Sequence, residues 1–296
     1  MLKNFNELLN KVKMIKPKTI GVVFAHDEVV IKALKDASKY AKLNFILIGN
    51  ENQIKKMVQE HKLKSFSIIN EIDETKASDI AVELVRENKI DLIMKGLIDT
   101  KYVLKSVVNS EKGIKNSPVL SHVGIMHFKD REKFMYVTDG AMNIAPTVEQ
   151  KIEIINNAVF LANKLGNKKP KVGLVSAVEK VNPKIKSTVD AQEILEKLSK
   201  KQLSYEIAGP MAVDNLVSKE SAKHKGIKNP VAGNVDILIF DNLDGGNIFY
   251  KTCVFLAHAA SAGLIIGAKA PIVLTSRADS AKSKLYSILL GLVVNA

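Results

Sequence analysis

The stretch Pro271-Ile272-Val273-Leu274-Thr275-Ser276-Arg277-Ala278-Asp279-Ser280 decides how this 296-residue chain is laid out. It opens as a short apolar, β-branched run, the pattern of a strand buried on both faces of a parallel sheet. It then changes abruptly to Ser-Arg-x-Asp-Ser and runs into residues 282–294, an amphipathic tail of helical period. A hydroxyl and a guanidinium at a strand end, just ahead of a helix, stand where open α/β sheets hold anions. Arginine is otherwise used only at Arg86 and Arg131, although lysine is abundant. An arginine here therefore speaks for a bidentate fork rather than for charge alone. The same residues would also serve as a surface turn whose arginine caps a carboxylate.

Outward from this stretch, the chain repeats one unit: a strand, a polar or glycine-bearing tip, and a helix. A helix over 2–15 ends at Pro17. Strands come next at 19–25, with His26-Asp27 at the tip, and at 44–49, 65–69 and 92–94; helices at 28–41, 51–61 and 79–88 separate them. The strand over 92–94 ends at Lys95-Gly96, and a helix carrying Thr100, Tyr102 and Lys105 begins just beyond. Strands over 120–125 and 134–138 lead to Thr138-Asp139-Gly140-Ala141-Met142-Asn143, and Pro146 lies inside the start of a helix over 148–165. Beyond Lys168–Pro170 the alternation resumes, with strands at 171–176, 204–207 and 235–240 and helices at 188–200 and 214–224. The last of these strands ends at Asp241-Asn242-Leu243-Asp244-Gly245-Gly246-Asn247, ahead of a helix through Tyr250, Lys251 and His258. Residues 262–269, with Gly263 and Gly267, read as a connection back to the opening stretch.

Such alternation predicts an α/β fold of two α/β/α domains with largely parallel sheets. The final strand–helix pair comes after a long excursion, and its helix needs a sheet to cover. Its simplest home is the first domain. The expected layout is residues 1–137 with 269–296 as one domain, residues 138–268 inserted as the second, and a cleft between them.

Composition narrows the function. A hydrophobic content of 46% and a mean hydropathy of +0.04 describe a globular protein with a full core. Aromatics make up 5% and tryptophan is absent, so that core is aliphatic. The single cysteine, Cys253, excludes an internal disulfide and suits a reducing cytoplasm, the expected compartment. No apolar run near Met1 has the length of a signal peptide, and residues 253–268 are too short and small-sided to span a bilayer, so no membrane partner is expected. The net charge of +13 is spread as lysine over the whole chain without an arginine cluster or interleaved aromatics. It reads as a solvated surface biased toward anionic small molecules, with no nucleic-acid partner. Dinucleotide, P-loop, zinc-peptidase and nucleophile-elbow fingerprints are all missing.

Single residues carry little by themselves. Cys253 reads as a small core hydrophobe, and His258 as a packing histidine. Ser121-His122 is no dyad, because strand neighbours point to opposite faces. Asp139, Asp241 and Asp244 at strand tips could hold a divalent metal, cap helices or fix loops. Lys95-Gly96 with Thr100 and Lys105 outlines an anion cradle.

The combination says more. Lys95-Gly96, the Thr138–Asn143 run with Pro146, Gly233-Asn234-Val235-Asp236, Gly246-Asn247-Ile248 with Tyr250-Lys251, and Ser276-Arg277 together resemble the phosphate acetyl/butyryltransferase family over nearly the whole chain. The Asp-x-Ala-Met-Asn-Ile-x-Pro and Ser-Arg-Ala-Asp-Ser forms are closer to its butyryl-transferring branch. The resemblance implies reversible transfer of a short acyl group, butyryl preferred, between coenzyme A and inorganic phosphate. The thiol attacks the acyl phosphate directly in a homodimeric enzyme. Coenzyme A is then a substrate, and neither metal nor redox cofactor is implied.

Roles come by the same resemblance. Arg277 clamps the phosphoryl oxygens and Ser276 donates to the oxyanion. Lys95, Thr100, Lys105, Ser121, Asp139 and Asn143 line the phosphate and substrate pocket, and Asn247 and Lys251 face coenzyme A. Acetyl-transferring members carry an acid seven residues after the serine; here that place is Ser283, which leaves Asp279 as first candidate for the thiol proton. Three other readings stay open. They are an acetyl-specific phosphate acetyltransferase, a metal- and NAD-dependent oxidative decarboxylase of similar plan, and a non-catalytic acyl-phosphate or coenzyme A binder.

Overall fold

Lys-Thr-Ile-Gly-Val-Val at positions 18–23 forms a strand, β1 (Lys18–Val23), that is buried along its last four residues and paired on both sides. An unbroken aliphatic run suits that place, since both faces of a parallel strand are covered. The protein is described by a computed structural model over residues 1–274 and 279–296. Its chain divides into two compact units. A terminal unit comprises Phe5–Ser117 and Ala262–Ala296, and an inserted unit comprises Pro118–Ser261 with Met1–Asn4.

In chain order the terminal unit begins with α1 (Phe5–Val12), β1, α2 (Glu28–Ala37), β2 (Leu43–Gly49), α3 (Glu51–Glu60), β3 (Phe66–Asn70), α4 (Glu74–Arg86), β4 (Leu92–Lys95) and α5 (Thr100–Val107). The inserted unit comes next with β5 (Ser121–His127), β6 (Met135–Thr138), α6 (Val148–Lys164), β7 (Lys171–Val175), α7 (Lys186–Leu198) and β8 (Glu206–Met211). It continues with α8 (Val213–Val217), α9 (Lys219–His224), β9 (Ile237–Ile239) and α10 (Leu243–Phe255). β10 (Ala260–Ile266) contains the unit boundary, and β11 (Ile272–Val273) and α11 (Ala281–Val294) complete the terminal unit.

The terminal sheet has the order β3-β2-β1-β4-β11-β10 and is parallel except for β10, which runs antiparallel to β11. From β1 the chain winds outward through β2 and β3, then returns to the other side of β1 as β4. The crevice at the carboxyl ends of β1 and β4 is thus the topological switch point, where open α/β sheets take their ligands. Each helix that succeeds a strand on this side starts from a short polar cap. Asp27, Asn50, Asp73 and Asp99 accept hydrogen bonds from the first-turn amides of α2, α3, α4 and α5. The inserted sheet has the order β5-β6-β9-β7-β8, with β5 antiparallel to β6 and the remaining pairs parallel.

Several boundaries differ from those expected of the sequence. The units divide at 117/118 and 261/262 rather than 137/138 and 268/269. β6 pairs with β9, which draws β5 and β6 into the inserted unit, and β10 pairs with β11 in the terminal one. The supposed connection over 262–269 is largely β10, a strand masked by its small glycine and alanine positions. α10 ends at Phe255, so His258 lies beyond it, in the left-handed region at φ 52°. Residues 214–224 break into α8 and α9 because the Ser218 hydroxyl caps the second of them.

α11 is covered on almost every side rather than amphipathic. It packs on β4 and β11 and also against α1 and α2, so polar outward positions are few. Leu289 is fully buried there. Leu289→Ala should lower the unfolding free energy by about 2–5 kcal/mol, read from the denaturant midpoint at an unchanged slope.

Candidate functional site

The carboxyl edge of the terminal sheet is assembled from three strand ends. At the first, Phe24 succeeds β1 in the left-handed region, at φ 56°. At the second, Gly96 succeeds β4. Its amide donates to the Val23 carbonyl at 2.8 Å, and the next amide, of Leu97, donates to the Phe24 carbonyl at 2.9 Å. A Cβ at position 96 would lie 2.1 Å from that carbonyl oxygen, so only glycine allows the clasp. The loop beyond it turns back on its lysine: Lys95 Nζ donates to the carbonyls of Ile98 at 2.7 Å and Gly96 at 3.3 Å. This gathers an ammonium beside the start of α5, where Thr100 is the first helical residue. Asp99 caps that helix by accepting from the Lys101 amide at 3.0 Å, a bond that holds its carboxyl below the usual carboxylate range. Lys105 is exposed in the last turn, where its charge complements the helix dipole.

β11 supplies the third strand end. Ser276 and Arg277, the residues that weigh most in the sequence, lie outside the described residues together with Thr275 and Ala278. Asp279 is half-buried, and its carbonyl accepts from Lys284 Nζ at 3.0 Å. Lys284 is only 4% exposed. Burial lowers its pKa, opposed by the carboxylates of Asp279 and Asp27. Ser280 caps α11 by accepting from the Ser283 amide at 3.0 Å, and the two hydroxyls stand 3.0 Å apart. Across the edge, the His26 and Phe24 rings lie 5.0 Å apart. Burial lowers the His26 pKa against the opposing pull of Asp27, so the imidazole is neutral at pH 7.

In the inserted unit the other candidates gather at the tips of β6 and β9. The Asp139 carboxylate is buried and spends both oxygens on donors. Oδ1 accepts from the amides of Ala141 at 2.8 Å and Met142 at 3.0 Å; Oδ2 accepts from Asn143 Nδ2 at 2.6 Å and the His122 amide at 3.2 Å. Asn143 also donates to the Leu120 carbonyl at 2.9 Å. The first turn of α10 closes on this loop: Asn247 donates to the Gly140 carbonyl at 2.8 Å, and a Cβ on Gly246 would stand 2.3 Å from the Asp139 carbonyl oxygen. Gly245-Gly246 thus serves a close backbone approach. Tyr250, further along α10, meets the His122 ring edge-on at 5.9 Å, and Lys251 is exposed. Ser121 is wholly buried, its hydroxyl accepting from Asn157 Nδ2 at 3.0 Å.

Asp241 pairs with Lys151 of α6, which also meets Asp190 of α7 at 2.5 Å. Desolvation opposes the charge on Asp190, but hydrogen bonds from Lys151 and Lys186 outweigh it and keep its pKa below the usual value. Cys253 is buried, and burial pushes its thiol up to about 11, which removes the thiolate a nucleophile needs.

Sequence reasoning passes over Lys284 and Lys151, although the signal is present in both cases. Lys284 shares a helical stripe with Ile288 and Leu292, and Lys151 shares one with Val148 and Ile155. A cation in an apolar stripe needs a partner there.

Because both Asp139 oxygens face only donors, the amide nitrogen of an asparagine would meet another N–H whichever way it turned. Asp139→Asn should therefore cost about 1–3 kcal/mol of stability, measured by chemical unfolding, although the shape is preserved.

The fold and the sequence as a whole have clear counterparts. The pattern defining the family described as phosphate acetyl/butaryl transferase matches residues 60–292. A probable phosphate butyryltransferase of Bacillus subtilis is 40% identical over 287 residues, covering 97% of this chain and 96% of its own. A phosphate acetyltransferase of Thermotoga maritima is 40% identical over 293 residues, covering 98% of this chain and 99% of its own. Among solved structures, a branched-chain phosphotransacylase from Enterococcus faecalis superposes with a TM-score of 0.85 at 35% identity, covering 94% of this chain and 99% of that one. Matched along most of its length in sequence and in fold, the chain belongs to the phosphate acetyl/butaryl transferase family.

Proposed function

We propose that this enzyme, a phosphate acyltransferase by family, moves a short acyl group between coenzyme A and inorganic phosphate and prefers butyryl. The observation that carries the reading is the position of Lys95-Gly96 at the β1/β4 switch point. β11 is the next strand over, and Ser276-Arg277 comes just after it in sequence. In this reading the thiol sulfur bonds to the carbonyl carbon of an acyl phosphate. The bond from that carbon to the bridging oxygen breaks, and phosphate leaves with the electron pair. Oxidation states do not change, so the chemistry calls for no redox cofactor.

Each group has a task in that step. The Arg277 fork and the Lys95 ammonium neutralise the phosphoryl oxygens, with Thr100 beside them at the start of α5. Ser276 donates to the oxygen that turns negative in the tetrahedral intermediate. Asp279 receives the thiol proton; a free thiol ionises near pH ~8.5, so a weak base suffices. Lys105 adds long-range attraction for anions from its exposed turn. Asp139, Asn143 and Ser121 shape the acyl side through the loop they hold. Asn247 and Lys251 on α10 address coenzyme A.

A second copy of the chain completes the enzyme in this reading. α10 leaves Ile248 and Phe255 largely exposed, an apolar face that favours a homodimer. Among the described residues no helix is long and apolar enough to cross a membrane. The reading assigns the work to the cytoplasm. The Thermotoga relative supports one competing assignment, acetyl in place of butyryl, because acyl preference depends on pocket volume rather than on the transfer machinery.

Release of free thiol from acyl-CoA on adding phosphate, compared from acetyl to butyryl, tests both. Butyryl-CoA should be turned over fastest, and faster acetyl turnover would move the assignment to the acetyl enzyme. Arg277→Ala and Arg277→Lys should each lose about 100-fold or more in kcat with unchanged circular dichroism, since lysine cannot supply the fork. Near-normal activity in Arg277→Lys refutes the bidentate role.

A further inference from the structure

A basin of about 650 Å³ opens at the amino edge of the terminal sheet, where β1, β2 and β3 begin. That size lies within the range of small-molecule sites. Five lysines line it: Lys35 and Lys39 from α2, Lys42 ahead of β2, and Lys62 and Lys64 ahead of β3. Pro17, Leu43 and Leu63 supply apolar surface among them, and no carboxylate is among its described lining residues. Neighbouring lysines on the same helices stand beside acids, Lys32 with Glu28 and Lys55 with Glu51. In the basin Lys39 meets Asp36 at 2.6 Å. Among the described residues no ion pair or hydrogen bond engages the ammonium groups of Lys35, Lys42, Lys62 and Lys64. The walls are held by main chain: the Lys18 amide donates to the Lys42 carbonyl at 3.2 Å, the Leu63 amide to the Val58 carbonyl at 3.0 Å, and the Phe45 amide to the Ser65 carbonyl at 2.9 Å. Lys62 and Ser65 both lie in the left-handed region, at φ 52° and 58°, where glycine is the easier residue. A lysine at that turn keeps a charge on the rim. Like charges left without counterions repel one another, and a concave cluster of them concentrates anions.

We propose that this basin binds a small oligophosphate, an anion of the di- and triphosphate class. Lysine acts as a point charge without a fork that demands one geometry. A cluster of lysines therefore suits a ligand whose charge is spread over several phosphoryl groups, and a single phosphate would meet only part of it. The oligophosphate is either free or carried by a nucleotide, whose nucleoside would lie against Pro17. Lys95 stands at the carboxyl end of β4, and the basin stands at the amino ends of the strands. The proposal therefore goes beyond the acyltransferase reading and does not depend on it.

Inorganic tripolyphosphate is the probe, titrated calorimetrically into the full chain. Binding should be saturable and should weaken about tenfold when salt rises from about 20 to about 200 mM, as screening requires. Lys35→Gln combined with Lys64→Gln should weaken it about tenfold or more, since two of the unpaired ammonium groups are lost. Lys168→Gln with Lys200→Gln, exposed in the inserted unit, removes the same net charge and should stay within about twofold of wild type. Hydrogen exchange on wild type needs no variant: the probe should slow residues 35–44 and 61–65 about threefold and leave the inserted unit unchanged. Orthophosphate should bind about tenfold more weakly than the probe. ATP serves to separate the two sources. Affinity equal to that of tripolyphosphate assigns the site to the bare oligophosphate, and affinity more than about tenfold tighter assigns it to a nucleotide; both uphold the proposal. Absence of saturable binding overturns it. So do equal weakening in the two double variants, protection confined to other segments, and orthophosphate binding as tight as that of the probe.

Discussion

Everything at the carboxyl edge depends on a pairing of only two residues. β11 lies beside β4 through Ile272 opposite Ile93 and Val273 opposite Met94. Such a short strand has little hold of its own; its place is secured by the helix that closes the chain. α11 is buried against β4, β11, α1 and α2, and burial at about 25 cal/mol per Å² of apolar surface makes it a firm anchor. The helix is tied at both ends. Lys284 holds the Asp279 carbonyl at its start. At its end, Lys18 Nζ bridges Asp91 at 2.8 Å and Asn295 at 3.1 Å, while the Thr19 amide donates to Asp91 at 2.9 Å. The starts of β1 and β4 and the last turn of α11 therefore share one polar knot at the amino edge of the sheet. The opposite edge carries Lys95 and the caps of α2 and α5.

Buried charge is mostly paired among the described residues. Lysine is abundant, and several that enter the interior meet a carboxylate: Lys151 with Asp190 and Asp241, Lys133 with Asp236, Lys18 with Asp91. Such pairs cost desolvation and return specificity of arrangement only when geometry is good. In the inserted unit the Lys151 cluster ties α6 and α7 to the residue just beyond β9. That is why Asp241, one of the strand-tip carboxylates, is engaged by the protein itself. The Asp139 carboxylate is engaged just as fully, by amides and by Asn143. Its work is to shape the loop against which α10 begins.

Much of this is legible in residue order. Strand tips at Lys95-Gly96 and Thr138-Asp139-Gly140, and the late strand–helix pair, carry the fold class and the discontinuous layout. Glycine is informative where backbone meets backbone, as at Gly96 against Phe24 and Gly246 against Asp139. The features that escape are those that depend on tertiary pairing. β10 looks like a linker, because Ala-Ser-Ala-Gly has no alternation until β11 is set beside it. Its partner also decides where the units divide. Ser121 is a site candidate only by the family resemblance, and the bond that Asn157 of α6, distant in sequence, donates to its hydroxyl is not legible in the sequence. Lys284 is passed over because a lysine among apolar residues is ordinarily assigned to the outer face, whereas the structure buries it.

The discontinuity of the terminal unit has a consequence for how the protein is made. Synthesis runs from the amino end, so β4 emerges long before the β11 that covers its flank. Throughout translation of residues 118–261 that flank presents unpaired amides and carbonyls, and the bed of α11 stays open to solvent. Exposed strand edges of this kind invite mispairing with other nascent chains. The inserted unit, whose strands all lie in one continuous run, can consolidate first. Residues 262–296 then seal the older unit, so a chain stalled before them carries the edge beside β4 half built.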